Sequence, residues 1–86
     1  MITWDEGTSD RGCCGVAAGG RVLTLVAGPD VRRGARQNAP VDHYGVLGTV
    51  KEALGLPPLA GARDARSGRL NSLFARRPSI AAAGAP

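Results

Sequence analysis

Eighty-six residues leave room for one small domain, and the apolar share of 43% is thinner than it looks: of 37 apolar residues, 14 are Ala and 2 are Cys. Leu, Ile, Val and Phe make 18 of 86, near the level at which chains drift toward disorder, and Gly and Pro add 19 residues that resist regular structure. No stretch approaches the ~20 apolar residues of a transmembrane segment, the start MITWDEG is acidic and is no signal peptide, and the net charge of +4 comes from ten Arg and one Lys spread along the chain.

That spread, from Arg11 to Arg77, argues for a solvated basic surface. A specific nucleic-acid binder concentrates its bases on one face and interleaves aromatics, and of the aromatics only Phe74 lies within a few residues of an arginine. The large apolar residues are few enough that part of the core is expected to lie outside the chain.

In chain order, Met1 to Trp4 reads as a strand end running into Asp5-Glu6-Gly7. Residues 7 to 20, with five Gly, form a loop. Residues 21 to 27, RVLTLVA, are the clearest strand, apolar on both faces apart from Thr24, which predicts burial between two layers. Gly28-Pro29-Asp30 ends it, and an Arg-rich loop follows to Pro40. Asp42 is placed as a helix N-cap. Val46, Leu47, Val50, Ala53 and Leu54 then recur at helical spacing, predicting a helix over 43 to 54 packed on the strand. Gly55 and Pro57-Pro58 stop it. Residues 60 to 86 read as a mostly irregular tail with a short docking segment near 70 to 74, its last stretch, ARRPSIAAAGAP, expected to be disordered.

Strand, loop, strand, loop, helix is a piece of an α/β pattern. In such proteins ligands sit at the carboxyl ends of strands. Adjacent acids there, Asp5 and Glu6, suit a hard or borderline metal ion; an exposed acidic turn is the plainer alternative. His43 is the only histidine, at the first turn of the helix, where the positive helix end favours a neutral ring able to meet a metal or a phosphate oxygen; a surface or capping role is again the plainer alternative. Cys13 and Cys14 are adjacent, a spacing that rarely bridges; pairing with a cysteine outside these residues or ligation of a soft metal are the alternatives, and free, partly buried loop thiols are expected. No Walker loop, GxSxG elbow or HExxH is present, and Ser9, Ser67, Ser72 and Ser79 have no base beside them in sequence.

Taken together, ITWDEG, GRVLTLVAGPDVRRG and DHYGVLGTVKEALGLPPL resemble the C-terminal part of the bacterial phosphoesterase family, the acid phosphatase and phospholipase C-like hydrolases similar in fold to alkaline phosphatase. That family's pattern runs "(I/V)TWDE", a glycine-rich loop, a hydrophobic strand ending in "GP" or "SP", then "SHYSLLRTIEDLLGLPPL". The likeness covers residues 2 to about 59, with a weaker echo at Leu70 to Phe74. It implies an incomplete C-terminal piece of an alkaline-phosphatase-like sheet-and-helix domain. It implies a hydrolase of phosphate mono- or diesters, a divalent metal ion held in part by Asp5 and Glu6, and His43 at the site touching metal or phosphate. Tyr44 is expected to pack the helix. It also implies a secreted or cell-envelope enzyme, inactive as this chain alone because the family's nucleophile and first metal ligands lie in a preceding region. Asp42 and Gly45 stand where the family commonly has Ser, and Gly48 where it frequently has Arg. The alternatives are a small basic protein binding nucleic acid or anionic lipid, and a non-functional gene remnant.

Overall fold

In the computed structural model, which describes residues 1–76, the longest regular element is a helix, α1, spanning His43–Ala53. Its start follows from Asp42, whose backbone is extended and whose Oδ1 accepts the Gly45 N–H at 2.9 Å. That bond satisfies one of the donors a helix leaves open at its first turn. Leu54 caps the other end, and Gly55 follows at φ +71, a conformation that costs glycine least. The start is the one the sequence predicts, and the end falls one residue short of the predicted 54.

The packing face is not the predicted one. The helix buries Gly45, Gly48 and Thr49, while Leu47, Val50 and Leu54 of the apolar stripe stay 39–45% exposed. What it packs on is chiefly a run of single 3-10 turns at Ala60–Arg63 and Ala65–Ser67. The approach is close enough to require glycine. A Cβ on Gly45 would overlap the Ser67 carbonyl oxygen, and one on Gly48 would overlap the Arg69 guanidinium. Thr49 Oγ1 donates to the Gly45 carbonyl at 2.9 Å and accepts the Leu70 N–H at 3.0 Å. Arg69 clamps the same seam, with Nε 3.0 Å from Glu52 Oε1 and Nη2 2.8 Å from the Ala62 carbonyl. Residues 60 to 71 are thereby the helix's packing partner. Leu70, at the expected docking segment, is 5% exposed and leads into a third 3-10 turn, Asn71–Leu73. The tail from residue 77 lies outside the described residues.

Two short strands complete the regular structure described. β1 (Ile2–Thr3) pairs antiparallel with β2 (Thr24–Leu25), Ile2 opposite Leu25 and Thr3 opposite Thr24. The two threonine hydroxyls lie 2.7 Å apart across the ladder. The central strand expected over 21 to 27 is corrected here: only two of its residues pair, and Leu23 and Leu25 are 59% and 51% exposed while Val22, Thr24 and Val26 are half-buried. An all-apolar run does not distinguish burial on two faces from burial on one. Among the described residues only β1 pairs with it, and its outer face has no layer over it. The loop between the strands is pinned by Gly7 N–H to Gly19 O at 2.5 Å and Gly20 N–H to Arg11 O at 2.7 Å. The Arg-rich segment is held from the other side, where Arg32 N–H reaches Leu73 O at 2.8 Å and Ala75 N–H reaches Asp30 O at 2.7 Å.

Among the described residues few positions are buried: Ala62 and Leu70 are the apolar ones, beside Asp42, Thr49 and Ser67 and the helix glycines Gly45 and Gly48. The centre of the molecule is thus a hydrogen-bonded junction between α1 and the turns after it, with most large side chains outside. Two short strands and one helix are too little to assign the chain to an alkaline-phosphatase-like sheet. Among the described residues no helix is long and apolar enough to cross a membrane.

Candidate functional site

Asp5 and Glu6 sit on the turn that leaves β1, and His43 is the first residue of α1. They are 37 and 38 residues apart in sequence, yet His43 Nε2 lies 2.8 Å from the Asp5 backbone oxygen. A carbonyl oxygen only accepts, so Nε2 carries a proton in this contact and Nδ1 is the ring nitrogen left for another partner. The acid-bearing turn and the helix start therefore meet, through the Asp5 main chain.

The carboxylates are organised differently. Asp5 Oδ1 turns back to accept the Glu6 N–H at 2.9 Å, a local bond of the kind that shapes turns. Glu6 is exposed, with its Cβ against the position a side chain on Gly19 would take. Asp5, Glu6 and His43 do not bring three ligand atoms together: among the described residues, the trio that converges to within 4.8 Å is Cys13, Cys14 and Asp42. Hard cations take six or more oxygens and zinc four ligands, so Asp5 and Glu6 supply at most part of a coordination shell. No chemical step through a metal follows from this donor set.

Two residues nearby behave differently from their sequence reading. Asp42 was expected at the N-cap and is there, but its second oxygen also accepts from Ser67 Oγ at 3.1 Å. Ser67, which has no base beside it in sequence, is thus paired with a carboxylate in space. It is also completely buried, and its hydroxyl lies 3.2 Å from the Gly61 carbonyl as well. The pair is structural, since no substrate reaches a side chain with no exposed surface. Nothing short of the fold joins positions 25 residues apart.

Cys13 and Cys14 are bonded to each other, in place of the free thiols expected. The turn that holds them places Cys14 at φ +73 and pairs Cys13 with Ala17 across it. That backbone brings the two sulfurs together. The Tyr44 ring lies against Gly61, at which a Cβ would be 2.7 Å from Tyr44 Cδ1. A separate depression lined by Val26 to Gly28, Val31 and Arg32 to Gly34 contains none of Asp5, Glu6 or His43.

At the surface beside this junction, Arg66 Nη2 lies 2.7 Å from Asp64 Oδ2. The side-chain hydrogen bond from Arg66, helped by the Arg66 N–H, holds the Asp64 carboxyl below its ordinary value. Compared with known proteins, the chain matches no family model, no characterised protein and no solved structure.

Proposed function

We propose that the chain is the C-terminal part of a metal-dependent phosphoesterase that hydrolyses phosphate mono- or diesters. In this reading Asp5 and Glu6 contribute carboxylates to the divalent metal and His43 contacts the phosphate. The substrate is a phosphoester and the enzyme works outside the cytoplasmic membrane or in the cell envelope. The reading rests on the order of the DEG, HY and GLPPL segments. The observation that carries it is the 2.8 Å contact between His43 Nε2 and the Asp5 carbonyl, which makes neighbours of the two segments the resemblance assigns to one site.

Chemically, His43 is suited to a positioning and hydrogen-bonding task. With Nε2–H committed to a main-chain oxygen, its ring is oriented, and Nδ1 is left to accept a proton or meet a ligand. A bound divalent ion would act as the Lewis acid on the phosphoryl group. A nucleophile has to be added to these residues for turnover, because Ser67 is buried and the groups of such a site act as a unit.

The test is an aryl phosphate assay with and without added Mn2+, Zn2+ or Ca2+, on residues 1–86 and on the same chain extended by any upstream reading frame. Residues 1–86 alone are expected to give no turnover. The extended chain is expected to turn over with metal, and His43→Ala and Asp5→Ala are each expected to lower that rate by about 100-fold or more. An extended chain without metal-dependent activity, or one indifferent to both substitutions, would show the reading to be wrong.

A further inference from the structure

We propose that Cys13, Cys14 and Asp42 form a reduction-gated site for a soft or borderline divalent cation, with Zn2+ the natural occupant. The inference uses none of the residues of the phosphoesterase reading and stands or falls apart from it. Its basis is the approach of an Asp42 carboxylate oxygen to within 4.8 Å of both sulfurs of the bonded Cys13–Cys14 pair, which precedes it by 28 to 29 residues of sequence. The loop from 7 to 20 is closed by its own backbone bonds, and its Gly15 lies against the turns that pack on α1, so close to Asp64 that a Cβ there would sit 2.7 Å from Oδ2.

The donor set has the chemistry of a zinc site. Thiolates select zinc and softer ions over magnesium or calcium, and a carboxylate completes a three-ligand set that leaves one position for water. Asp42 is 8% exposed and held on both sides, Oδ1 by the Gly45 N–H and Oδ2 by the Ser67 hydroxyl. Each oxygen keeps a second lone pair, so both bonds orient the carboxylate without consuming it. Cys13 is exposed and Cys14 half-buried, which gives a reductant access.

The gate is the disulfide. In the bonded form the sulfurs are not thiolates and do not ligate. Two equivalents of a low-molecular-weight thiol deliver two electrons: the Cys13–Cys14 bond breaks, each sulfur becomes a thiol, and the donor thiols leave joined as their own disulfide. Zn2+ then displaces one proton from each cysteine.

The experiment uses residues 1–86, oxidised or reduced anaerobically with a phosphine, titrated with Co2+ as a visible substitute and then with Zn2+. The expected result is a cobalt–thiolate charge-transfer band at one equivalent on the reduced chain only, abolished by one equivalent of Zn2+. Cys13→Ser and Cys14→Ser should each remove it. Asp42→Ser keeps an oxygen to cap the helix while removing the carboxylate, and should weaken Co2+ binding about tenfold or more with the far-UV circular dichroism of the helix retained. A reduced chain with no such band, whether or not its helix survives reduction, would overturn the proposal. So would an Asp42→Ser chain that binds Co2+ as tightly as the unsubstituted one.

Discussion

Gly45 is the residue at which two physical arguments oppose each other. Helix propensity alone predicts that Ala in place of an interior Gly gains about 1 kcal/mol. Here the added methyl would fall on the Ser67 carbonyl oxygen, a backbone atom that moves only if the whole 65–67 turn moves. The second effect wins, so Gly45→Ala is expected to destabilise by about 1–3 kcal/mol, measured as a shift of the urea midpoint. Asp64 supplies a residue-scale pH effect. Its carboxyl is held below the ordinary value by the Arg66 side chain. The stabilisation is therefore complete above the unfolded carboxylate's value, about 3.9, and is lost as the pH falls through the lower folded value. Asp64→Asn is expected to leave less acid dependence in this limb, seen by comparing thermal melts of both chains from about pH 5 to pH 2.

The helix, taken as an element, is legible in the sequence by its limits and illegible by its orientation. Asp42, the apolar spacing and Gly55 announce its start, course and stop. The same apolar spacing nominates Leu47, Val50 and Leu54 as its buried face, and the structure turns that face outward. The reason lies in Gly45 and Gly48, whose missing side chains let residues 60–70 approach and bond the cap Asp42 and the helix residues Glu52 and Thr49 through Ser67, Arg69 and Leu70. Periodicity counts apolar side chains and is blind to a groove made by their absence. Val50→Ser and Leu54→Ser are accordingly expected to cost about 1 kcal/mol or less each, against the 2–5 kcal/mol typical of truncating a buried aliphatic side chain; chemical denaturation of the single variants separates the two.

Across the whole molecule, the strand pair and the helix junction are linked by His43 on the Asp5 carbonyl and by the loop that carries the disulfide. His43→Ala removes the first link without touching the cap or the packed face. It is expected to leave the helical signal unchanged and to speed amide hydrogen exchange within the β1–β2 ladder, which has no other neighbouring strand among the described residues. Equal exchange in both chains would mean that the ribbon holds its position independently of the helix. The exposed faces, Leu23, Leu25 and Trp4 on the ribbon and Leu47, Val50 and Leu54 on α1, belong to this scale too. They match the small count of large side chains, which build one hydrogen-bonded junction and cover little else.

The amino-acid sequence by itself determined what is local: the helix with its cap and stop, the turn at Gly28-Pro29, the acidic turn after Trp4, and the placement of His43 at the first helical position. These depend on backbone preferences within a few residues of each other. Tertiary structure alone decided what depends on distant segments meeting. It turned the glycine flank of α1 toward residues 60–70 and left the 21–27 run open on one face. It also paired Ser67 with Asp42, closed Cys13 on Cys14 beside that carboxylate, and set His43 against the main chain of Asp5. Each of these is fixed by shape and by hydrogen bonds between residues far apart in the chain, or, for the cysteines, by a turn whose backbone conformation is uncommon for their type.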